Sequence, residues 1–109
     1  MSCISNEELK SFNKNGFLNK KNFVSKNEIN QIRNWVYEYA NKKPDDWEIG
    51  KEMAYYETSK IDGTRILARI EKFVDYHEGF MNLVKSKQIV DYVDALMQEP
   101  SIFFKEKIN

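Results

Sequence analysis

Histidine and cysteine are almost absent from this 109-residue sequence, which contains one of each, His77 and Cys3. A structural zinc site takes four cysteine or histidine ligands, and the facial triad of a non-haem iron enzyme takes two histidines and a carboxylate. The chain can supply neither set, so we expect no catalytic residue and no metal ligand in it. A magnesium or calcium site made of carboxylates alone stays open, although no calcium-loop spacing occurs. We expect His77 to be a surface or half-packed residue and Cys3 to be unreactive.

An excess of either charge is also missing, because lysine plus arginine and aspartate plus glutamate both number 17. A dedicated nucleic-acid-binding protein normally has a basic excess, and docking on an anionic membrane depends on basic residues as well. The apolar runs are too short for a transmembrane segment, and Glu7 and Glu8 stand where a signal peptide has its basic start. These absences predict a cytoplasmic protein with no nucleic-acid or membrane partner.

Aromatic residues make up 14% of the sequence and apolar residues 41%, which is typical of one globular domain. Two capping-box patterns predict two N-terminal helices. The first, at residues 5–8, opens a short helix that runs through Phe12 and that Gly16 can end in the left-handed conformation. The second, at residues 25–28, opens a longer helix that ends before Pro44. Its predicted apolar stripe is Ile29, Ile32, Val36, Tyr39 and Ala40.

Residues 53–57 and 64–73 predict two antiparallel strands that are connected through an Asp62-Gly63 turn. In the preceding loop, Trp47 and Ile49 are expected to pack inward. Strict alternation divides the second strand into two faces. One face carries Ile66, Ala68 and Ile70, and the other carries Arg65, Leu67, Arg69, Glu71 and Phe73.

Two further helices are predicted before Pro100, which prevents helix continuation. The first covers residues 74–84, with Gly79 as a weak point. The second begins after Ser86. Its predicted buried stripe is Ile89, Val90, Val93, Leu96 and Met97. Helices gathered beside antiparallel strands predict an α+β fold for residues 1–109 as a single domain.

Residues 101–109 (Ser-Ile-Phe-Phe-Lys-Glu-Lys-Ile-Asn) predict a last strand that has no partner next to it in sequence. Phe104, Glu106 and Ile108 fall on one of its faces, and Phe103, Lys105, Lys107 and Asn109 fall on the other. The two lysines either discourage aggregation at a sheet edge or meet an acidic substrate inside a cavity. Arg69 is equally open, because it can pair with a neighbouring carboxylate or present its donors to a carboxylate or phosphate.

The ordered pattern resembles the N-terminal portion of the phytanoyl-CoA dioxygenase-like family of Fe(II)/2-oxoglutarate oxygenases. The resemblance covers essentially the whole chain, and its most specific part is Pro100 followed by Phe-Lys-Glu-Lys-Ile-Asn. The other parts are Phe12-x-x-x-Gly-Phe17, Asn22-Phe-Val-Ser-x-x-Glu-Ile29 and Arg65-Ile-Leu-Ala-Arg-Ile-Glu-x-Phe73. The last of these and the terminal segment are similar to members that hydroxylate small polar compounds, including aminophosphonates.

The resemblance implies that the chain is the front part of a double-stranded β-helix (jelly roll), an incomplete domain whose packing helices precede the core. The complete enzyme would bind Fe(II) and 2-oxoglutarate and hydroxylate a small polar or acidic substrate. This chain would bind neither by itself and would be inactive alone, because the family's iron ligands have no counterpart in it. By position, Arg69 matches a residue that can contact 2-oxoglutarate. Lys105 matches a substrate-side position, with Lys107 and Asn109 completing a cavity wall.

A self-contained protein-interaction module derived from that family is the alternative prediction. The terminal strand would expose an unpaired edge carrying Phe and Ile, which favours self-association. The reading frame after codon 109 separates the two interpretations. A frame that continues into a lysine and a His-x-Asp pattern would indicate an enzyme, and a stop codon would indicate the module.

Overall fold

The computed structural model of this protein describes residues 4–109, so Cys3 lies outside the described residues. Within that range, the chain forms four α-helices and one antiparallel sheet with the strand order β1-β2-β3. The predicted α+β class is confirmed, whereas the jelly-roll assignment stays a prediction. The elements are α1 (Asn6–Asn15), α2 (Lys26–Ala40), β1 (Met53–Thr58), β2 (Arg65–Glu71), α3 (Glu78–Val84), α4 (Lys87–Met97) and β3 (Lys107–Ile108), with 3-10 turns at Pro44–Asp46 and Val74–Tyr76.

Helix α1 begins and ends with the caps that its sequence predicts. The Ser5 hydroxyl accepts a hydrogen bond from the Glu8 amide at 3.1 Å, and the Glu8 carboxylate accepts one from the Ser5 amide at 3.2 Å. Gly16 adopts a φ of 79° and donates its amide to the Phe12 carbonyl. The helix runs to Asn15, beyond the predicted end at Phe12, because the left-handed cap closes its last turn.

Helices α2 and α4 also begin at the predicted serines, where Ser25 accepts from the Glu28 amide and Ser86 from the Ile89 amide. Their predicted apolar stripes are too wide. The buried face is centred on Tyr39 in α2 and on Tyr92 in α4. The exposed members of the predicted stripes are Ile29 and Ala40 in α2 and Val93 and Met97 in α4.

A β-bulge in β2 overturns the predicted division of that strand into two faces. The pairing register of β1 with β2 shifts at one point, so that Ala68 has no residue opposite it. An extra residue of this kind reverses the alternation beyond it. Leu67 therefore packs against the core together with Ile70, three positions away, whereas Ile66 is exposed.

The core is an aromatic cluster between α2, α3 and the sheet. Its buried members are Tyr39, Ile70, Phe73, Val74 and Phe80, and half-buried Trp35 and Trp47 pack against them. Gly79, predicted as a weak point of a helix, is instead the place where α3 meets an indole ring. A Cβ at Gly79 would lie 2.4 Å from Cζ2 of Trp35, which is far inside van der Waals contact.

The helix predicted over residues 74–84 is interrupted at its first third. A 3-10 turn covers Val74–Tyr76, and α3 then starts after His77, whose backbone is extended. The His77 side chain caps α3, since its Nδ1 accepts a hydrogen bond from the Phe80 amide at 3.1 Å. This capping bond favours a new helix start over continuation of the first turn.

The strand predicted over residues 101–109 is mostly wrong, since only Lys107 and Ile108 pair with β2. β2 ends at Glu71, and the next residue, Lys72, has a φ of 58° that turns the chain away. Residues 101–106 therefore have no neighbouring strand to pair with. The prediction that Ile49 packs inward is also wrong, because it is 103% exposed in a loop that no element covers.

The molecule is extended for its length. Its radius of gyration is 17.2 Å, with extents of 51 × 29 × 26 Å, whereas a compact domain of about 100 residues has a radius near 13 Å. In residues 4–109, no helix is long and apolar enough to cross a membrane. Outside the core cluster, Tyr92 in α4 is also buried, whereas Ile49, Ile61, Ile102 and Phe104 are almost fully exposed.

Candidate functional site

Arg69 lies at the centre of a charged cluster on the sheet. It stands opposite Tyr55, and its guanidinium carbon is 4.3 Å from the centre of the Tyr55 ring, within the range of a cation–π contact. Its Nε lies 3.2 Å from one oxygen of Glu71, whose other oxygen is 3.7 Å from Nζ of Lys105. The Glu71 carboxylate thus forms ion pairs with both Arg69 and Lys105.

The ion pair between Arg69 and Glu71 leaves a donor unused. Nε of Arg69 is buried and makes no hydrogen bond within residues 4–109, although a Glu71 oxygen lies 3.2 Å from it. The rest of the side chain is half-exposed, so Arg69 retains capacity to bind an anion.

A polar groove of about 400 Å³ runs beside this arginine. Asn109 lies at it because Ile108 pairs with Ile70, which brings the next residue alongside Arg69. The groove contains one acidic residue, Glu57. Its lining is Tyr55, Tyr56, Glu57, Ala68, Arg69 and Asn109.

Tyr56 is fixed from behind the groove by a short chain of hydrogen bonds. Nε1 of Trp47 donates to the Tyr56 hydroxyl at 2.7 Å, and this hydroxyl donates to the Lys42 carbonyl at 3.2 Å. Trp47 in turn stacks on the Tyr39 ring with centroids 5.5 Å apart. Burial is the main cause that raises the pKa of Tyr39, with the nearby Glu52 carboxylate adding to it. The groove therefore has a rigid wall on its β1 side.

Lys105 and Phe103 line a different groove, of about 520 Å³, together with Glu71, Lys72 and Asp75. Lys107 pairs in the sheet with Glu71 and is exposed. In residues 4–109, the side chains predicted as one cavity wall thus lie in separate places, because the segment that carries them is only briefly a strand.

His77 lies away from both grooves, in contact with aromatic rings of the core. Its ring centroid is 5.2 Å from that of Trp35 and 4.8 Å from that of Phe80, and its Nε2 lies 3.7 Å from a Glu38 oxygen. The prediction that His77 is half-packed is confirmed. Residues 4–109 contain no group of three or more histidine, cysteine, aspartate or glutamate side chains placed to hold a metal ion.

Sequence reasoning named Arg69, Lys105, Lys107 and Asn109 but missed the role of Tyr55. The cross-strand register that puts its ring under the guanidinium depends on the bulge at Ala68, and alternation does not reveal a bulge. Glu71 was placed on the same face as Arg69, which is correct. Its contact with Lys105 could not be foreseen, because it requires the pairing of β3 with β2.

Comparisons with known proteins give three relatives. The chain is 37% identical over 111 aligned residues to 2-aminoethylphosphonate dioxygenase of Uncultured bacterium HF130_AEPn_1, and 34% identical over 108 residues to methylphosphonate hydroxylase of Gimesia maris. It is 28% identical over 102 residues to probable phytanoyl-CoA dioxygenase of Caenorhabditis elegans. No protein-family profile and no solved structure matches the chain.

The alignments cover this chain almost entirely, at 100%, 99% and 91% of its residues. They cover only 40%, 40% and 32% of the relatives. The chain therefore spans about two fifths of the length of the two more similar proteins, and the matched part is N-terminal.

Proposed function

The chain corresponds to the N-terminal portion of the phytanoyl-CoA dioxygenase-like family, and we propose that it supplies this portion of a non-haem Fe(II)/2-oxoglutarate-dependent dioxygenase. The complete enzyme would hydroxylate a small, acidic organophosphorus compound. The observation that carries the proposal is that almost the whole of this chain matches 40% of each of two proteins named for phosphonate oxidation, at 37% and 34% identity.

Arg69 is the residue of this chain that suits 2-oxoglutarate. A guanidinium group binds carboxylates through paired, charge-assisted hydrogen bonds. The half-exposed guanidinium, the Tyr55 ring beneath it and the adjacent groove support this assignment. Glu71 and Glu57 limit how much negative charge the groove attracts, so the co-substrate would approach the half-exposed end of the side chain.

Iron does not fit the described residues. His77 uses Nδ1 to cap α3, and no triad of suitable side chains converges in residues 4–109. When bound in such enzymes, the metal supplies the activation of O₂ that hydroxylation needs. We therefore propose that the iron ligands come from outside this range and that the chain is inactive alone.

Lys105, Lys107 and Asn109 are the proposed substrate-side residues. A phosphonate group is anionic, and an ammonium group within a cavity needs an anionic partner. Lys105 already lies within 3.7 Å of Glu71, so its charge is partly balanced in the absence of substrate. Asn109 lines the groove beside Arg69, Lys107 is exposed on β3 and Lys105 lines the second groove, so these three donors would contact the substrate from separate places.

A fusion protein tests the proposal. Residues 1–109 are joined to the part of 2-aminoethylphosphonate dioxygenase that lies beyond its matched N-terminal region. We expect the fusion to form succinate from 2-oxoglutarate when Fe(II) and 2-aminoethylphosphonate or methylphosphonate are present. Residues 1–109 alone and the C-terminal part alone should form none. A folded fusion that binds Fe(II) without consuming 2-oxoglutarate would contradict the proposal.

Arg69 is tested in the same fusion against a matched control. The Arg69→Ala variant should raise the KM for 2-oxoglutarate by about tenfold or more, since a charge-assisted hydrogen bond contributes about 1.5–3 kcal/mol. Arg65→Ala is the control, because Arg65 lies on the same strand but bonds the Thr58 hydroxyl at the surface. If the two substitutions raised the KM for 2-oxoglutarate equally, the assignment of Arg69 to the co-substrate site would be wrong.

A protein-interaction module is the second candidate, and it is favoured by apolar side chains that protrude from residues 101–104. Ile102 is 91% exposed and Phe104 is 90% exposed. An inactive fusion, together with a chain that unfolds cooperatively by itself and binds a protein partner through Phe104, would support the module over the oxygenase segment.

A further inference from the structure

One surface of the molecule combines several exposed apolar side chains. We call it the α4 patch and define it by Val84, Ile89, Val90, Val93, Ile102, Phe103 and Phe104, which line a depression of about 430 Å³ between α4 and residues 101–104. Ile102 and Phe104 point away from the protein's own core. Contiguous apolar patches of this kind mark interaction surfaces.

The segment that carries Ile102 and Phe104 is held in place at both ends. The Ser101 amide and hydroxyl both donate to one oxygen of Asp94 in α4, at 2.7 and 2.6 Å. A Glu106 oxygen accepts from the Val74 amide at 3.1 Å, and Ile108 then pairs with Ile70. The exposed side chains are therefore presented by an anchored backbone.

The chain's other strongly exposed isoleucines, Ile49 and Ile61, lie in loops outside the patch. Single exposed apolar residues are normal on protein surfaces. The α4 patch differs because its apolar side chains adjoin one another around a single depression between α4 and residues 101–104. One neighbouring unit could therefore cover them together.

We propose that the α4 patch is covered by the C-terminal part of the oxygenase domain, the part that corresponds to the 60% of the two phosphonate-named relatives left unmatched by this chain. The inference rests on the proposed function. Three observations lead to this occupant: the relatives continue beyond the matched region, the patch is apolar like a domain interior, and the 17.2 Å radius of gyration leaves the chain less compact than a complete domain.

Hydroxyl-radical footprinting tests the coverage directly, on residues 1–109 and on the fusion described above. We expect labelling of Ile102 and Phe104 to drop to background in the fusion, because these side chains pass from exposed to buried. Labelling of Ile49 and Ile61 should be the same in both proteins, which makes them internal controls. Unchanged labelling of Ile102 and Phe104 in a folded fusion would overturn the inference.

Substitutions give a second readout that does not depend on activity. Phe104→Lys should lower the Tm of the fusion by about 5 °C or more, the effect of a buried charge on a protein of that size. The same substitution should leave the Tm of residues 1–109 unchanged, and Ile61→Lys should be neutral in both proteins. A neutral Phe104→Lys in the fusion would count against the inference.

The outcomes separate this inference from the proposed function. A fusion that covers the patch but does not oxidise any phosphonate keeps the inference and removes the function. An active fusion in which Phe104 stays labelled supports the proposed function and contradicts the inference. The remaining possible occupant is a second copy of this chain, which light scattering tests. If residues 1–109 form a dimer in which Ile102 and Phe104 are protected from labelling, the second copy covers the patch and the inference is wrong.

Discussion

The aromatic core around Phe80 and the terminal segment around Phe104 are built from similar residues and have opposite environments. Phe80 is 6% exposed, with the rings of Trp35, Tyr39 and Phe73 around it, whereas Phe104 is 90% exposed. Both segments are anchored, so the difference does not come from order in the backbone. It depends on whether a second element is present to receive the side chain. Apolar composition by itself does not say which residues a fold buries.

The largest expected effect separates these two phenylalanines. Phe80→Ala should lower the free energy of unfolding by about 3–5 kcal/mol, because it removes a ring from a packed cluster. Phe104→Ala should change it by less than about 0.5 kcal/mol in residues 1–109, as surface substitutions do. Urea unfolding followed by tryptophan fluorescence measures both values. Similar losses for the two variants would mean that Phe104 is already packed in this chain.

A smaller effect is expected where Gly79 faces the Trp35 ring. Gly79→Ala should cost about 1–3 kcal/mol, since the new methyl group would overlap the Trp35 ring. In the Trp35→Leu background the cost should nearly vanish, because the overlapping ring is gone. A thermodynamic cycle of the two substitutions measures this coupling. Additive effects would contradict the contact and would place the cost in helix propensity or backbone geometry.

The smallest effect concerns the junction of α1 with α4. The Tyr92 hydroxyl donates to Glu8 at 2.6 Å, and this bond, with the Ser5 amide and Lys20 contributing less, lowers the pKa of Glu8 to about 2. Because the folded pKa lies below the unfolded value of 4.5, the stabilisation is fully present above pH 4.5 and is lost as the pH falls toward 2.

Glu8→Gln should therefore destabilise the protein near neutral pH and have progressively less effect as the pH falls below 4.5. Glu7→Gln is the control, because Glu7 is exposed in the same first turn of α1. Urea titrations of the three proteins across this pH range give the comparison. A difference between wild type and Glu8→Gln that does not depend on pH would show that the carboxylate charge is irrelevant.

The local features of the fold could be predicted from the sequence, and the features that depend on distant residues could not. Ser5, Ser25 and Ser86 were correctly identified as caps because a cap involves residues within one turn. The late start of the last strand, at Lys107 rather than at Ser101, was missed because it follows from Lys72, which turns the chain away where β2 would otherwise offer a partner. Local patterns carry no information about the length of a neighbouring strand.

The candidate site follows the same rule. Arg69 stood out as a mid-strand arginine, and its nearest carboxylate, Glu71, lies two residues along the strand. The Tyr55 ring and Lys105 reach the cluster only through strand pairing. Alternation along a strand could identify the charged residues of the site, but it could not predict which of them are in contact.

The bulge at Ala68 inserts one residue into β2, so that the residues after it point to the opposite faces from those that strict alternation predicts. Before it, the odd-numbered Leu67 packs against the core, and after it the even-numbered Ile70 does. Core residues three positions apart, such as Leu67 and Ile70, usually indicate a helix, but here both lie in a strand. The orientation of Arg69 is therefore set by the presence of its neighbour, so that counting residues in this strand matters as much as identifying them.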